Sequence, residues 1–201
     1  MSDAEEKSLK SQLPPSSIVF KDEEKDSDAV RKCLGGEIEA FGAIIDRYQG
    51  TMLNLAYRIV NNYEDAKDIT QAVFVKAYGN LASYDPRYKF FSWLYRIGVN
   101  ESLNFVNHRK RQTPPYENLA ADPFDPQDQL ASTELGEKIR QALMSLNPRQ
   151  RALIAMSLDG FSYKEIGQTL RLTEKKVKSK LFSTRHKIRE KLNNEGFRTH
   201  D

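Results

Sequence analysis

Four of the chain's eight prolines fall in one acidic stretch, "TPPYENLAADPFDPQDQLAS", residues 113–132. A proline lacks an amide hydrogen and its ring clashes with the preceding turn, so no helix runs through such a stretch. It holds four acids and no base. It reads as an extended linker without secondary structure of its own. Twenty residues of extended chain reach roughly 65 Å. The protein is therefore expected to fold as two units on either side of it.

Both flanks carry helical periodicity. Phe41, Ile44, Ile45, Tyr48, Met52, Leu55 and Ile59 recur at three- and four-residue spacing and predict a long amphipathic helix from about Glu37. Asn61 and Asn62 stop it. Asn62 can cap a second helix, with Glu64 and Asp65 in its first turn, that carries Ile69, Val73 and Tyr78 to about Leu81. The loop "ASYDPRYK" precedes a third helix from Phe90 to about Arg111. Past the linker, Leu135, Ile139 and Leu143 predict one helix. Asn147-Pro148 opens another, with Leu153, Ile154 and Leu158, that Gly160 ends. Ser162 and Glu165 form a capping box for a short helix, 163–170, and Thr173 caps a last one, about 174–192. No strand-like alternation appears. The expected fold is all-α: two small helical domains joined by a flexible linker. The expected division is a disordered acidic tail at 1–27, a first domain at 28–112, the linker at 113–132, a second domain at 133–195 and a tail at 196–201.

The segment "YKEIGQTLRLTEKKVKSKL" has the form of a helix-turn-helix. Ile166 and Leu170 face the core from its first helix, Val177 and Leu181 from its second, Gly167 is small where the two helices cross closely, and Leu172 plugs the turn. The turn position usually held by Gly is Arg171, which a left-handed backbone would strain by ~1 kcal/mol. Residues 171–191 hold nine Lys/Arg against two Glu. A merely solvated face mixes signs; this one suits phosphates. The net charge of +3 hides a basic end balanced by acidic stretches elsewhere.

A second constellation is "YDPRYKFFSWLYRI", residues 84–97, where Arg87, Lys89 and Arg96 lie among aromatic rings. Phe90, Trp93, Leu94 and Ile97 can share one helical side and form core. Tyr84, Tyr88, Phe91 and Tyr95 are then in surplus. Rings interleaved with bases suit stacking on unpaired nucleotides, worth ~1–3 kcal/mol per base. The residues alone leave that reading level with a second one, in which every ring is core or half-buried surface.

Other classes are disfavoured. Cys33 is alone, so no intrachain disulfide forms, and His108, His186 and His200 stand too far apart for a zinc site. No apolar run approaches the ~20 residues that span a bilayer, and the polar N-terminus is unlike a signal peptide. The expected compartment is the cytoplasm. No catalytic constellation is visible, and no cofactor, metal or small-molecule substrate is expected.

Taken together, "AFGAIIDRYQGTMLNLAYRIVNNYEDAKDITQAVFVKAYGNL", "FFSWLYRIGVNESLNFVNHRKR" and "LNPRQRALIAMSLDGFSYKEIGQTLRLTEKKVKSKL" resemble bacterial sigma factors of the extracytoplasmic-function (ECF) class, in order and spacing, over about residues 28–192. The resemblance implies a non-enzymatic transcription initiation factor that binds core RNA polymerase through its β′ and β subunits. In the motif similar to "DAxDLxQExF", here "DAKDITQAVF", Asp68 and Gln71 match polar polymerase contacts, Asp65 opens the motif, and Ala72 replaces the usual Glu. The segment similar to "WLYRIARN", here "WLYRIGVN", implies recognition and melting of the promoter minus-ten element, with one base held by loop 82–92. The implied minus-ten residues are Tyr84, Arg87, Tyr88, Lys89, Phe91, Trp93, Tyr95, Arg96, Asn100, Arg109, Lys110 and Arg111. The helix-turn-helix is implied to read the minus-thirty-five duplex. Lys175, Lys176, Lys178 and Ser179 are the implied candidates for the groove and Lys180 and Arg185 for phosphates, with Thr173 in the same minus-thirty-five set at the helix start. The linker is implied to run along the polymerase's RNA exit path. An anti-sigma factor, in this family often membrane-anchored, is the implied regulator.

Two other readings fit less of the sequence. A stand-alone helix-turn-helix regulator with an N-terminal sensor or dimerisation domain leaves the aromatic-basic segment unexplained. A helical enzyme or adaptor would need convergent titratable groups, and none is seen.

Overall fold

The computed structural model describes residues 23–112 and 134–194. The expected linker at 113–132, the expected tail at 196–201 and the expected tail at 1–27 as far as residue 22 lie outside them. The described residues are helical, in the order α1 (Glu23–Leu34), α2 (Ala40–Val60), α3 (Tyr63–Gly79), a 3-10 turn (Leu81–Ser83), α4 (Phe90–Gln112), α5 (Glu134–Met144), α6 (Pro148–Leu158), α7 (Tyr163–Leu170) and α8 (Glu174–Asn194).

α2, α3 and α4 pack around Ile44, Met52, Leu55, Ile59, Val73 and Leu94, all buried. Local chemistry sets the helix ends. Asn61 is left-handed (φ 59°) and closes α2, its amide donating to Tyr57 O; Asn62 Oδ1 then accepts from the Asp65 amide and opens α3. α3 ends at Gly79, earlier than expected. Its inward residues are Ile69, Val73, Phe74 and Ala77, while Tyr78 lies at the surface edge-on to Phe41, with ring centroids 5.2 Å apart.

α1 is a correction. It starts within the stretch expected to be tail and buries Ala29, Val30 and Cys33 against the bundle. Asp26 is 2% exposed, a place a carboxylate takes only when its charge and lone pairs are met. Arg47 and the Tyr48 hydroxyl donate to it. Burial, then the Asp26 contact, pushes the Tyr48 phenol up.

In the second domain Asn147 caps α6 in a full capping box with Gln150, and Ser162 caps α7 with Glu165. Ile166, Leu170, Val177 and Leu181 are buried as expected of a helix-turn-helix. Arg171 adopts the left-handed conformation (φ 54°), and Thr173 Oγ1 accepts from the Lys176 amide at 3.3 Å to start α8. A Cβ on Gly167 would stand 2.6 Å from Leu172 O, so the close approach is to the turn itself. Two expected core positions face outward: Ile139 and Leu158 are exposed, and Ala142, Leu146, Ala152 and Met156 fill the core instead.

The two domains dock. α6 packs against α2 and α4, and α7 approaches α4. Arg151 Nε donates to Ile59 O at 2.9 Å, and Arg58 pairs with Asp159 at 3.3 Å.

Candidate polymerase and nucleic-acid surfaces

Along α3, Asp68, Gln71, Ala72 and Val75 recur at the helical repeat and are all exposed. They form one outward strip. Val75, 75% exposed, is an apolar member that sequence reasoning did not single out. Its signal is its place one turn beyond Gln71. Asp65 lies one turn before Asp68 but is half-buried, paired with Arg109 of α4. Sequence reasoning placed those two residues in separate sites; the structure joins them.

Loop 84–89 is held by its own polar groups. Tyr84 Oη donates to Tyr88 O at 2.6 Å, and the Tyr84 ring packs on Phe90 and Trp93, at 5.3 and 5.5 Å between centroids. Arg87 grips Asp85, with Nη2 2.6 Å from Oδ2, and holds that carboxyl below its usual range. Lys89 pairs with Glu23 of α1 at 2.6 Å. Tyr88 stands out into solvent, 68% exposed.

The surplus rings divide. Tyr84 is half-buried and Tyr88 free, but Phe91 and Tyr95 are 3% and 0% exposed. Both meet Phe161 of the second domain, with centroids 5.9 and 4.6 Å away. Tyr95 Oη donates to Asp159 Oδ2 at 2.6 Å; burial, then the Asp159 charge, holds its phenol well above the ordinary value. In this arrangement neither ring can stack on a base. Each aromatic contact adds ~0.5–1.5 kcal/mol to the seam beyond its buried area. Trp93 is half-buried, while Arg96 and Asn100 are exposed. These three line one wall of an interdomain groove of about 690 Å³ whose other wall includes Arg149 and Arg171. Lys110 and Arg111 are exposed at the end of α4.

On α8, Lys175, Lys176, Lys178, Ser179 and Lys180 are exposed, and among the described residues no ion pair occupies the four lysine side chains. Arg185 Nη2 reaches back to Ser157 Oγ at 3.1 Å. Phe182, 65% exposed among these bases, was not foreseen. Among the described residues no cluster of His, Cys, Asp and Glu could hold a metal, and no helix is long and apolar enough to cross a membrane.

Comparison with known proteins bears on these surfaces. Residues 44–112 match the Sigma-70 region 2 family and residues 136–188 the Sigma-70 region 4 family. The chain is 30% identical to the ECF RNA polymerase sigma factor SigW of Bacillus subtilis, over 81% of this chain and 94% of that one. It is likewise 30% identical to the ECF RNA polymerase sigma-E factor of Escherichia coli K12, over 83% and 94%. Among solved structures it resembles CnrH in complex with the cytosolic domain of CnrY, with a TM-score of 0.62, 23% identity and coverage of 85% and 98%. It also resembles the sigma factor RpoE in complex with the anti-sigma factor NepR from Bartonella quintana, with a TM-score of 0.64, 22% identity and coverage of 77% and 98%. At that identity the structural likeness speaks to the fold.

Proposed function

The chain belongs to the ECF class of RNA polymerase sigma factors, which direct core polymerase to promoters, and from that premise we propose how its surfaces divide the work. The observation that carries the reading is the order of two matched regions on two helical units. Residues 23–112 serve as the polymerase and minus-ten unit and 134–194 as the minus-thirty-five unit. The strip Asp68, Gln71 and Val75 meets the polymerase, with Asp65 at its edge. Without Glu at position 72 that contact is less charged and leans more on Val75.

Tyr88 is the exposed ring best placed to hold an unpaired base. Tyr84 and Trp93 shape its loop. Arg87, Lys89, Arg96, Lys110 and Arg111 suit the strand's phosphates, and Asn100 suits a base edge. Phe91 and Tyr95 reach DNA only if the domains part; docked, they are the seam. On α8, Lys175, Lys176, Lys178 and Ser179 face the major groove behind the Thr173 cap, and Lys180 and Arg185 meet phosphates. Bond formation is left to the polymerase, so the chain is an initiation factor and not an enzyme. We place it in the cytoplasm, regulated by an anti-sigma protein of the kind seen bound to RpoE.

The test is reconstitution. The purified chain mixed with core polymerase should yield a holoenzyme that starts transcription at a restricted set of sites in a genomic promoter library. Tight, sequence-specific binding of duplex DNA by the chain alone, with no holoenzyme formed, would favour the stand-alone regulator instead.

A further inference from the structure

Arg109 and Asp65 belong to two different proposed surfaces yet are bound to each other. Arg109 lies in the last turn of α4, beside Lys110 and Arg111, and Asp65 in the first turn of α3, one turn before Asp68. Arg109 Nη1 donates to Asp65 Oδ2, and the side chains are 31% and 19% exposed. A guanidinium so engaged does not offer its full charge to a phosphate. A carboxylate so engaged does not offer its charge to a docking protein. Burial, reinforced by the neighbouring charge of Asp68, pushes the Asp65 carboxyl up in spite of the Arg109 contact. That carboxylate is therefore under-compensated and would gain from a second cation brought by a partner.

We propose that the Asp65–Arg109 pair is an exchange contact: a basic group of the polymerase docking on the α3 strip takes over Asp65 and releases Arg109 to bind DNA phosphate. This rests on the proposed assignment of α3 to polymerase. It makes polymerase binding and DNA binding mutually reinforcing, because whatever relieves one member of the pair lowers the cost of using the other. The free chain then holds one phosphate contact in reserve.

The experiment needs no known promoter, because a phosphate contact is independent of sequence. The full chain is titrated with a labelled single-stranded oligonucleotide across a salt series, in the wild type, Asp65→Asn, Arg109→Gln and the double variant. Glu64→Gln is the control, since it removes a neighbouring acid whose partner is Lys67. Asp65→Asn is expected to steepen the salt dependence by about 0.7 and to tighten binding several-fold. Glu64→Gln should do neither. Arg109→Gln should change little in the free wild type and should erase the gain in the Asp65→Asn background. In the assembled holoenzyme, Arg109→Gln should flatten the slope by about the same amount. Equal slopes for Asp65→Asn and Glu64→Gln would overturn the proposal. So would an Arg109→Gln loss as large in the free chain as in the holoenzyme, a comparison that still decides if Asp65→Asn fails to fold. Failure to form any holoenzyme would instead overturn the polymerase assignment, and the free-chain arms would remain readable.

Discussion

Tyr95 of α4 and Asp159, at the end of α6, share a hydrogen bond of 2.6 Å across the boundary between the two domains. Asp159 also pairs with Arg58 of α2, so one carboxylate ties two helices of the first domain, α2 and α4, to the second. Around it Phe161 covers Tyr95 and Phe91. Asp159→Ala would leave a fully buried phenol without an acceptor, which costs ~1–3 kcal/mol. The docked state should lose roughly tenfold or more against the open one. Small-angle scattering and energy transfer between dyes on α3 and α8 should report a more extended average, with each domain's own helicity unchanged. An unaltered distance distribution would mean the seam is held elsewhere.

This seam marks the limit of what the sequence disclosed. Asn62, Asn147, Ser162 and Thr173 were legible as caps because capping is a local rule acting over three residues. The helix-turn-helix was legible because Ile166, Leu170, Val177 and Leu181 keep a local period. Phe91 and Tyr95 looked surplus because their partner Phe161 lies far along the chain, and periodicity carries no information about such a partner. The first turn of α1 reads as tail because it continues a polar, acidic stretch; what allows Asp26 to be buried is Arg47 and Tyr48, 21 and 22 residues further along the chain on α2.

The turn of the helix-turn-helix offers a paired stability test. Gly167→Ala pushes a methyl into Leu172 O, a backbone atom that cannot swing aside. It should cost roughly 1–3 kcal/mol. Arg171→Gly relieves a left-handed residue worth ~1 kcal/mol, partly offset by the greater freedom of Gly in the unfolded chain. Thermal unfolding should move down for the first and slightly up, or not at all, for the second. A marked fall for Arg171→Gly would show that its side chain contributes more than its backbone strain removes.

For the polymerase strip, Asp68→Ala with Gln71→Ala should weaken core binding at least about tenfold, or ~1.4 kcal/mol, with the fold intact because both residues are exposed. Val75→Ser should weaken it too, and Ala72→Glu should strengthen it. Fluorescence titration against core polymerase decides this, and unchanged affinity in all three would remove α3 from the interface.

Tyr88 and Phe91 should part company on substitution. Tyr88→Leu removes an exposed ring and should spare stability and polymerase binding while slowing open-complex formation, most at low temperature. Phe91→Leu thins the packing against Tyr48, Tyr95 and Phe161 and should cost roughly 1–2 kcal/mol in stability or docking. Permanganate reactivity of the melted region and thermal unfolding, read side by side, separate the two. If Tyr88→Leu melts DNA as well as the wild type, base capture belongs to another residue.

The basic helix α8 permits the sharpest distinction, because phosphate contacts and base contacts leave different traces. The side chains of Lys175, Lys176, Lys178 and Lys180 stand in solvent, without an ion pair among the described residues, so neutralising any one should leave the fold untouched. A lysine on a phosphate contributes equally to every sequence, through release of a counterion, so Lys180→Gln should weaken binding uniformly and flatten the salt slope by about 0.9. A lysine on a base edge contributes only where an acceptor such as a guanine O6 or N7 is present. Lys176→Gln and Lys178→Gln, nearer the N-terminal end of α8, should therefore change preference at single base pairs by ~1–3 kcal/mol and leave the rest of the site alone. Arg185 is the intermediate case: its contact with Ser157 must break before it meets a phosphate, so Arg185→Gln should cost less than Lys180→Gln in slope and affinity. The measurement is holoenzyme binding to a randomised minus-thirty-five library at two salt concentrations. Should all four variants scale every sequence by the same factor, α8 holds DNA only by its backbone, and sequence is read by other residues.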